Sequence, residues 1–387
     1  MSWRQLILDH QSTFLKWIEA TDARMVSLNR VSNCLESYLT SRLQSPKDCI
    51  QFWNAIPLVR AACNFNETYE LPFAVEAYAY VHILDRYWRT WDALIELTTN
   101  GVLPLGSEGV RILDVGAGPL PTTYAIWDFF EQLRKFGDMN SIPELVKQGT
   151  HFDIVERSDS MRQFMHRFSE HCQFSGPYGA EIIDFSDVNP RSERKALEQF
   201  LRKKEHYDAS ADDFYYEYSP EEASFSANRH RRYRMVVFSN FFTMGHIVDQ
   251  FEQVLMSLFS DLSSGAVVLI IGATSNQYEE VYSRLTLLAQ NNGLRKLTEI
   301  KASLGETSQI SKAQVEIKRC QHTVFQHLRR VTNEPNLPKV LDSSVFHYLE
   351  FAKQLGLELG PNIRWPDYWN PKPFPNKRVE FVSVQSV

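Results

Sequence analysis

The sequence has few cysteines and no pair of them at the spacing that metal sites use. Its five cysteines are scattered along 387 residues without a CxxC motif; they are Cys34, Cys49, Cys63, Cys172 and Cys320. Zinc ribbons, iron–sulfur clusters and disulfide frameworks need cysteines at short, recurring spacings. The pattern therefore argues against all three. We expect no bound metal and a reducing compartment, the cytoplasm.

Long apolar stretches and a strong excess of one charge are missing as well. The longest apolar run, AVVLII at 266–271, is far short of the ~20 residues that a membrane-spanning helix needs. The N-terminal residues reach the acidic Asp9 before any stretch apolar enough for a signal peptide, so we expect neither secretion nor membrane binding. The 41 Lys+Arg and 47 Asp+Glu residues give a net charge of −6, which excludes a uniformly basic nucleic-acid coat.

What is present divides the chain into a helical N-terminal part and an α/β part. Residues 1–100 carry apolar side chains at spacings of three and four, typical of amphipathic helices. We expect them to form a helical domain that serves as a lid, as a dimerisation surface, or as both. A linker rich in Gly and Pro follows.

From Arg111 onward, short apolar strands alternate with amphipathic helices. This order predicts an α/β fold built on a Rossmann-like, mostly parallel sheet. We expect this second domain to span residues 108–387, with insertions at 186–233 and 276–355, the latter continuing as helix. Ligands of such sheets bind at the carboxyl ends of the strands.

The most informative stretch is RILDVGAGPLPTT at 111–123. A strand that ends near Asp114 leads through Gly116 and Gly118 into a helix, and a backbone free of Cβ atoms can approach a ligand closely there. A Leu-Pro pair stands where the dinucleotide pattern has its third glycine, which disfavours NAD or FAD. A nucleoside without phosphates fits this two-glycine loop better.

LDVGAG resembles the first motif of the class I S-adenosylmethionine-dependent methyltransferases, an acidic residue followed by a Gly-x-Gly turn. The resemblance covers roughly residues 111–272, with several motifs in order. It implies the sheet type of that family, a methyl-transfer activity, and S-adenosyl-L-methionine as cofactor. It also implies a set of cofactor-binding residues: Asp114, Gly116, Gly118, Glu156, Met161, Asp184, Phe185, Ser239, Asn240 and Phe241.

The later motifs carry distinct roles in that family. Glu156, at the end of the second predicted strand, matches the carboxylate that holds the two ribose hydroxyls, a role suited to an acceptor-only group. Met161 matches a position that often lies against the adenine, although packing in the core explains a methionine equally well. Asp184 and Phe185 match the third motif, around the base, and residues 239–241 match the fourth, beside the sulfonium and the incoming substrate.

A narrower likeness involves the Tyr-rich stretch at 78–97, the loop LDVGAGP and the segment VERSDSM. Together they are similar to the small-ribosomal-subunit-associated methyltransferase-like proteins of mitochondria and microbes, in which a Tyr-rich helix precedes the glycine loop. Members of that family often carry a cysteine cluster that would bind iron–sulfur. This sequence has no such cluster.

Candidates for catalysis and substrate binding are fewer. His246 follows the fourth predicted strand, and an imidazole suits the base that methyl transfer to a hydroxyl needs; a histidine at a helix start is also a common cap or surface residue. Tyr80 and Tyr87 belong to the aromatic band on the helix before the linker. We expect most of that band to pack between helices and sheet, and Tyr80 and Tyr87 to touch cofactor or substrate.

Two classes of function stay open on the sequence. The first is a methyltransferase that transfers its methyl group by in-line displacement to an O or N of a small-molecule acceptor. The net charge and the aromatic band favour that acceptor over ribosomal-type RNA, which would bind through the basic residues at 229–234 and 312–330. The second class is a binding or assembly protein that keeps the fold without the transfer.

Overall fold

The structure is a computed structural model that describes residues 3–61, 66–107, 109–156, 158–172, 181–184, 233–242, 245–260, 262–272, 276–302, 307–334, 337 and 377–384. Phe185 and the basic residues at 229–232 lie outside this described part. So does most of the expected insertion at 186–233.

Helices form where the sequence shows amphipathic spacing. Those of the N-terminal part are α1 (Trp3–Ala20), α2 (Ala23–Arg42), α3 (Pro46–Ala61) and α4 (Ala74–Thr99), with a short 3₁₀ helix at Asn66–Glu70. The later ones are α5 (Pro121–Met139), α6 (Pro143–Val146), α7 (Asp159–His171), α8 (Gly245–Gln250), α9 (Glu252–Ser260), α10 (Asn276–Asn291) and α11 (Thr307–Thr332). The helical character expected for residues 1–100 is confirmed in their described part.

The strands are β1 (Val110–Val115), β2 (Thr150–Glu156), β3 (Glu181–Asp184), β4 (Met235–Ser239), β5 (Val267–Ile271), β6 (Leu294–Ala302) and β7 (Lys377–Val384). They form a seven-stranded sheet in the order β3-β2-β1-β4-β5-β7-β6. β1 to β5 run parallel, whereas β7 is antiparallel to both β5 and β6. The expected α/β fold with a mostly parallel, Rossmann-like sheet is confirmed.

Strand β6 contradicts one prediction. We expected residues 276–355 to continue as helix, but residues 294–302 pair with β7 along the edge of the sheet. The register shifts between Lys296 and Thr298, so Leu297 is an extra residue in the strand. Such a bulge breaks the alternation of period two. In the sequence, Leu294, Leu297 and Ile300 lie three residues apart, a spacing that is typical of a helix.

The helices cover both faces of the sheet. One continuous apolar core joins α1–α5, α7 and α11 to one face, and a second core joins α8–α10 to the other. The N-terminal helices therefore do not stand apart from the sheet, because they share the core of its first face. No described helix has the length and apolar character needed to cross a membrane.

Buried charged side chains fix how α2, α4 and α5 pack. The guanidinium of Arg24 donates to the Trp88 carbonyl at 2.8 Å and to Asp92 at 2.5 Å, and it lies 3.2 Å from the centre of the Trp88 ring. Arg30 donates to both carboxylate oxygens of Asp128, at 2.5 and 2.7 Å. Since a buried charge without its partner is very costly, these pairs tie α2 to α4 and to α5 in one arrangement.

Candidate functional site

The glycine loop between β1 and α5 is held against the end of β2. Gly116 and Gly118 both adopt left-handed backbone, with φ of +67° and +57°. The Gly116 N–H donates to the Val155 carbonyl at 2.8 Å, and the Gly118 N–H donates to Oε2 of Glu156, also at 2.8 Å. The loop is thus anchored by backbone and side chain of the neighbouring strand.

Glu156 connects two loops at the carboxyl edge of the sheet. While its Oε2 accepts from Gly118, its Oε1 accepts from the Ser158 N–H at 2.9 Å. Ser158 in turn caps α7, because its Oγ accepts from the Met161 N–H. The Glu156 side chain is almost fully buried, so these charge-assisted hydrogen bonds form away from most solvent.

Asp114, at the end of β1, is fully buried and only half satisfied. Thr123 donates its hydroxyl to Oδ2 at 2.8 Å, whereas Oδ1 accepts no hydrogen bond from the described residues. Burial raises the pKa of this carboxyl to about 7, and the nearby Glu156 carboxylate adds to the rise while the Thr123 hydroxyl opposes it. A buried acceptor of this kind is able to take a donor from a ligand.

Helix α4 runs past the glycine loop. Tyr78 faces the open side of Gly118: its Cε1 lies 3.8 Å from where a Cβ on Gly118 would be. The rings of Tyr78 and His82 lie 4.8 Å apart, and Asp85 and Arg89 continue the same helix face at spacings of three and four. We call these four residues the α4 stripe.

The other end of the α4 stripe reaches the ends of β4 and β5. Arg89 is buried and ion-paired with Asp85. Its Nη1 also lies 3.5 Å from Oδ1 of Asn240 and 3.4 Å from the Gly272 carbonyl. The stripe therefore crosses the carboxyl edge of the sheet from the glycine loop to β5.

The residues after β4 meet the glycine loop from the other side. Asn240 has left-handed backbone, with φ of +54°, and its N–H donates to the Ile271 carbonyl at 2.7 Å. Its side-chain amide lies 3.4 Å from the Ser239 hydroxyl. A Cβ on Gly116 would overlap the ring of Phe241. Ring and glycine are in such close contact that only a residue without a side chain fits there.

Seven of the residues expected from the sequence thus meet at one edge; they are Asp114, Gly116, Gly118, Glu156, Ser239, Asn240 and Phe241. Asp184 ends β3 and pairs in register with Glu156, which places it at the same edge. Met161 is buried in the core of the first sheet face. Its contact with a ligand stays a prediction.

Three expected residues are placed elsewhere or at the surface. The Tyr80 hydroxyl donates to the Gln321 carbonyl of α11 at 2.9 Å, and the Tyr87 hydroxyl donates to Asp128 of α5 at 2.6 Å. Both tyrosines pack between helices, and it is Tyr78 that reaches the glycine loop. His246 is the exposed second residue of α8, and its role as a base stays a prediction.

Two residues of the basic face at 312–330 lie beside acidic side chains. Arg319 pairs with Glu36 of α2 and with Glu316 of its own helix, both at 2.7 Å. Lys312 lies 3.8 Å from Asp22. Within the described residues, no group of three or more His, Cys, Asp or Glu side chains is placed to hold a metal ion.

Solved structures similar to this chain include the following three. A candidate sarcosine dimethylglycine methyltransferase from Galdieria sulphuraria is 12% identical, over 77% of this chain and 84% of its own, with a TM-score of 0.33. YjhP from E. coli is 10% identical, over 77% and 92%, with a TM-score of 0.32. A loganic acid methyltransferase with SAH is 11% identical, over 81% and 96%, with a TM-score of 0.36. The sequence matches no protein-family model and no curated protein.

The sheet of this chain agrees with the resemblance that its motifs show. β1 to β5 run parallel, β7 enters antiparallel between β5 and β6, and the glycine loop follows the central β1. The fold is of the class I methyltransferase type.

The two loop glycines differ in what surrounds them, so we expect Gly116→Ala to destabilise the protein more than Gly118→Ala. At either position the left-handed backbone conformation is unfavourable for an alanine and lowers the free energy of unfolding by ~1 kcal/mol. At Gly116 the new methyl group also displaces Phe241, whose ring packs on Phe242 and Phe251, and overpacking adds ~2 kcal/mol. Urea unfolding followed by circular dichroism measures both variants. Equal losses would contradict the close contact with Phe241.

The raised pKa of Asp114 predicts a pH-dependent stability. In the unfolded chain this carboxyl ionises near pH 4, whereas burial keeps it protonated in the folded chain up to about pH 7. Between these values the unfolded state binds fewer protons, so the free energy of unfolding falls as the pH rises. A rise of this size corresponds to roughly 4 kcal/mol.

Asp114→Asn removes this ionisation, so the variant should gain stability relative to the wild type as the pH rises from about 5 to about 8. Urea midpoints across that range measure the difference. Asp138→Asn, on the exposed end of α5, is the matched control and should show a constant difference. A constant difference for Asp114→Asn as well would refute the buried ionisation.

Proposed function

We propose that this chain is an S-adenosylmethionine-dependent methyltransferase that transfers a methyl group to an O or N of a small-molecule acceptor. One observation carries the proposal. The open backbone at Gly118, the Glu156 carboxylate and Oδ1 of Asp114 lie together at the carboxyl edge of the sheet, and this Oδ1 has no hydrogen-bond partner among the described residues. Ligands of parallel α/β sheets bind at this edge.

The chemistry of this edge fits the cofactor. S-adenosylmethionine offers hydroxyl and ammonium donors and carries positive charge, and ionised carboxylates are acceptor-only groups of opposite charge. Asp114 and Glu156 end neighbouring strands, and Asp184 ends the next one. We expect Glu156 to hold the ribose hydroxyls and Asp114, in its ionised form, to accept a donor at its Oδ1. When bound, the cofactor supplies an electrophilic methyl group.

The role of the protein in the reaction is to position the acceptor and to exclude water. Holding acceptor and methyl group in line turns a bimolecular step into an effectively unimolecular one. The α4 stripe spans the edge between the glycine loop and the ends of β4 and β5, and we assign to it the acceptor side of the site. His82, on this stripe, is an additional candidate base besides His246.

The same stripe favours a small acceptor over RNA. It places Tyr78, His82, Asp85 and Arg89 across the edge as a wall, which suits a ligand enclosed between helix and sheet. Arg319 and Lys312, by contrast, lie beside acidic partners. Charges paired in this way contribute little to tracking a phosphate backbone.

Glu156→Gln should weaken binding of S-adenosylhomocysteine at least tenfold. The substitution replaces a charged acceptor by a neutral amide, and hydrogen bonds to charged groups are worth ~1.5–3 kcal/mol. Titration calorimetry on the full chain measures the affinity. Glu170→Gln, on the exposed face of α7, is the matched control and should bind like the wild type. No binding by the wild type at about 1 mM ligand would overturn the proposed function.

Tyr78→Ala should weaken the same binding roughly tenfold, because the ring bounds the space in front of Gly118 and stacking contacts are worth ~1 kcal/mol. Tyr80→Phe is the control: it removes a hydroxyl that bonds to α11 and should leave the affinity unchanged. If both variants bind like the wild type, α4 does not form part of the cofactor site.

A binding protein without transfer is the second candidate, and turnover separates it from the enzyme. The full chain is incubated with radiolabelled S-adenosylmethionine and a small-metabolite extract. Label recovered in a small organic product supports the enzyme. Tight binding of S-adenosylhomocysteine without labelled product in small-molecule or RNA fractions supports the binding protein.

A further inference from the structure

Two cysteines from different helices meet away from the candidate site. Cys34 lies on α2 and Cys172 directly follows α7. His171, the residue before Cys172, contacts Ser37 and Tyr38, one turn after Cys34. The two thiols perturb each other's pKa. Both side chains are partly exposed, so a small reagent from solvent reaches them. Cys49 and Cys320 are fully buried.

The surrounding side chains hold the two helices in place. The Ser37 hydroxyl lies 2.9 Å from Nε2 of His171. The Tyr38 ring packs edge-on against Phe164 at 5.2 Å and against Phe168 at 5.5 Å. Because these contacts lie within about one turn of Cys34 and Cys172, the packing of α2 on α7 brings the two thiols near each other.

The electrostatics of the pair favour thiol chemistry. The hydrogen bond from Cys172 lowers the pKa of Cys34 to about 7, and the Arg30 guanidinium one turn earlier on α2 acts in the same direction. The same bond raises the pKa of Cys172. A thiol with a pKa near ambient pH is an effective attacking group, and its neighbour is the resolving thiol.

From this geometry we propose that Cys34 and Cys172 form a reversible redox modification site, which a low-molecular-weight disulfide such as oxidised glutathione converts to an intramolecular disulfide. The Cys34 thiolate attacks one sulfur of oxidised glutathione, which gives a mixed disulfide and releases one glutathione thiolate. Cys172 then loses its proton to solvent, and its sulfur attacks Sγ of Cys34 and releases the second glutathione. Two protein thiols are oxidised and one glutathione disulfide is reduced.

The test uses the folded full-length chain treated with oxidised glutathione, quenched with an alkylating reagent and mapped by mass spectrometry without reductant. We expect a peptide pair linked through Cys34 and Cys172 that dithiothreitol separates. We also expect the midpoint of thermal unfolding to rise by roughly 5 °C, because the bond closes a loop of roughly 140 residues. A lower midpoint in the linked protein would overturn the proposal, since it would mean that the bond distorts the helices.

Serine variants test the pairing. Cys34→Ser should abolish the link and leave Cys172 as free thiol or mixed disulfide. Cys63→Ser should leave the link intact and serves as the matched control. Recovery of Cys34 and Cys172 only as separate mixed disulfides or free thiols, or a link that involves Cys63, would overturn the proposal. None of these outcomes depends on the proposed methyl transfer.

Discussion

The carboxylate of Glu156 is the constraint on which the candidate site depends. Its two oxygens accept N–H groups from the loop after β1 and from the loop after β2, so one side chain fixes the relative position of two strand ends. Charge-assisted bonds of this kind are strong where water is excluded. They also place this carboxylate beside two other carboxyl groups, because Glu156 helps to raise the pKa of Asp114 and stands in register with Asp184. The negative charge of a carboxylate attracts cationic ligands.

Helix α4 is the second constraint. Arg24 of α2 holds it by bonding to the Trp88 carbonyl and to Asp92. The same helix carries the α4 stripe across the edge of the sheet. Since buried ion pairs tolerate little change of geometry, the stripe keeps a fixed position relative to the glycine loop. The N-terminal helices thus act on the site through packing, as one wall of it.

The sequence predicts those parts of the fold whose signal is local. β1, β2, β4 and β5 are short apolar runs, and the glycine loop shows its turn directly. β6 is not predicted, because its apolar residues lie three apart in the sequence. The bulge at Leu297, which interrupts the alternation of a strand, shows only in the pairing with β7. The sequence does not predict the position of Tyr78 at the glycine loop for another reason. An aromatic band shows which side chains are suited to packing, but not which residue each of them contacts. Only tertiary packing separates Tyr78, at Gly118, from Tyr80 and Tyr87, which bond to α11 and α5.

Helix α7 runs from the candidate site to the pair Cys34 and Cys172. Its rigidity determines whether a disulfide at one end affects the position of Glu156 at the other. Its first turn is capped by Ser158, whose N–H bonds to Glu156, and its last residue precedes Cys172. Thirteen residues separate the two ends by about 20 Å. Tyr38 packs on Phe164 and Phe168 between them, so the helix moves as a unit or not at all. A disulfide between Cys34 and Cys172 therefore acts at the far end of α7, on the stability of the α2–α7 packing rather than on the position of Glu156.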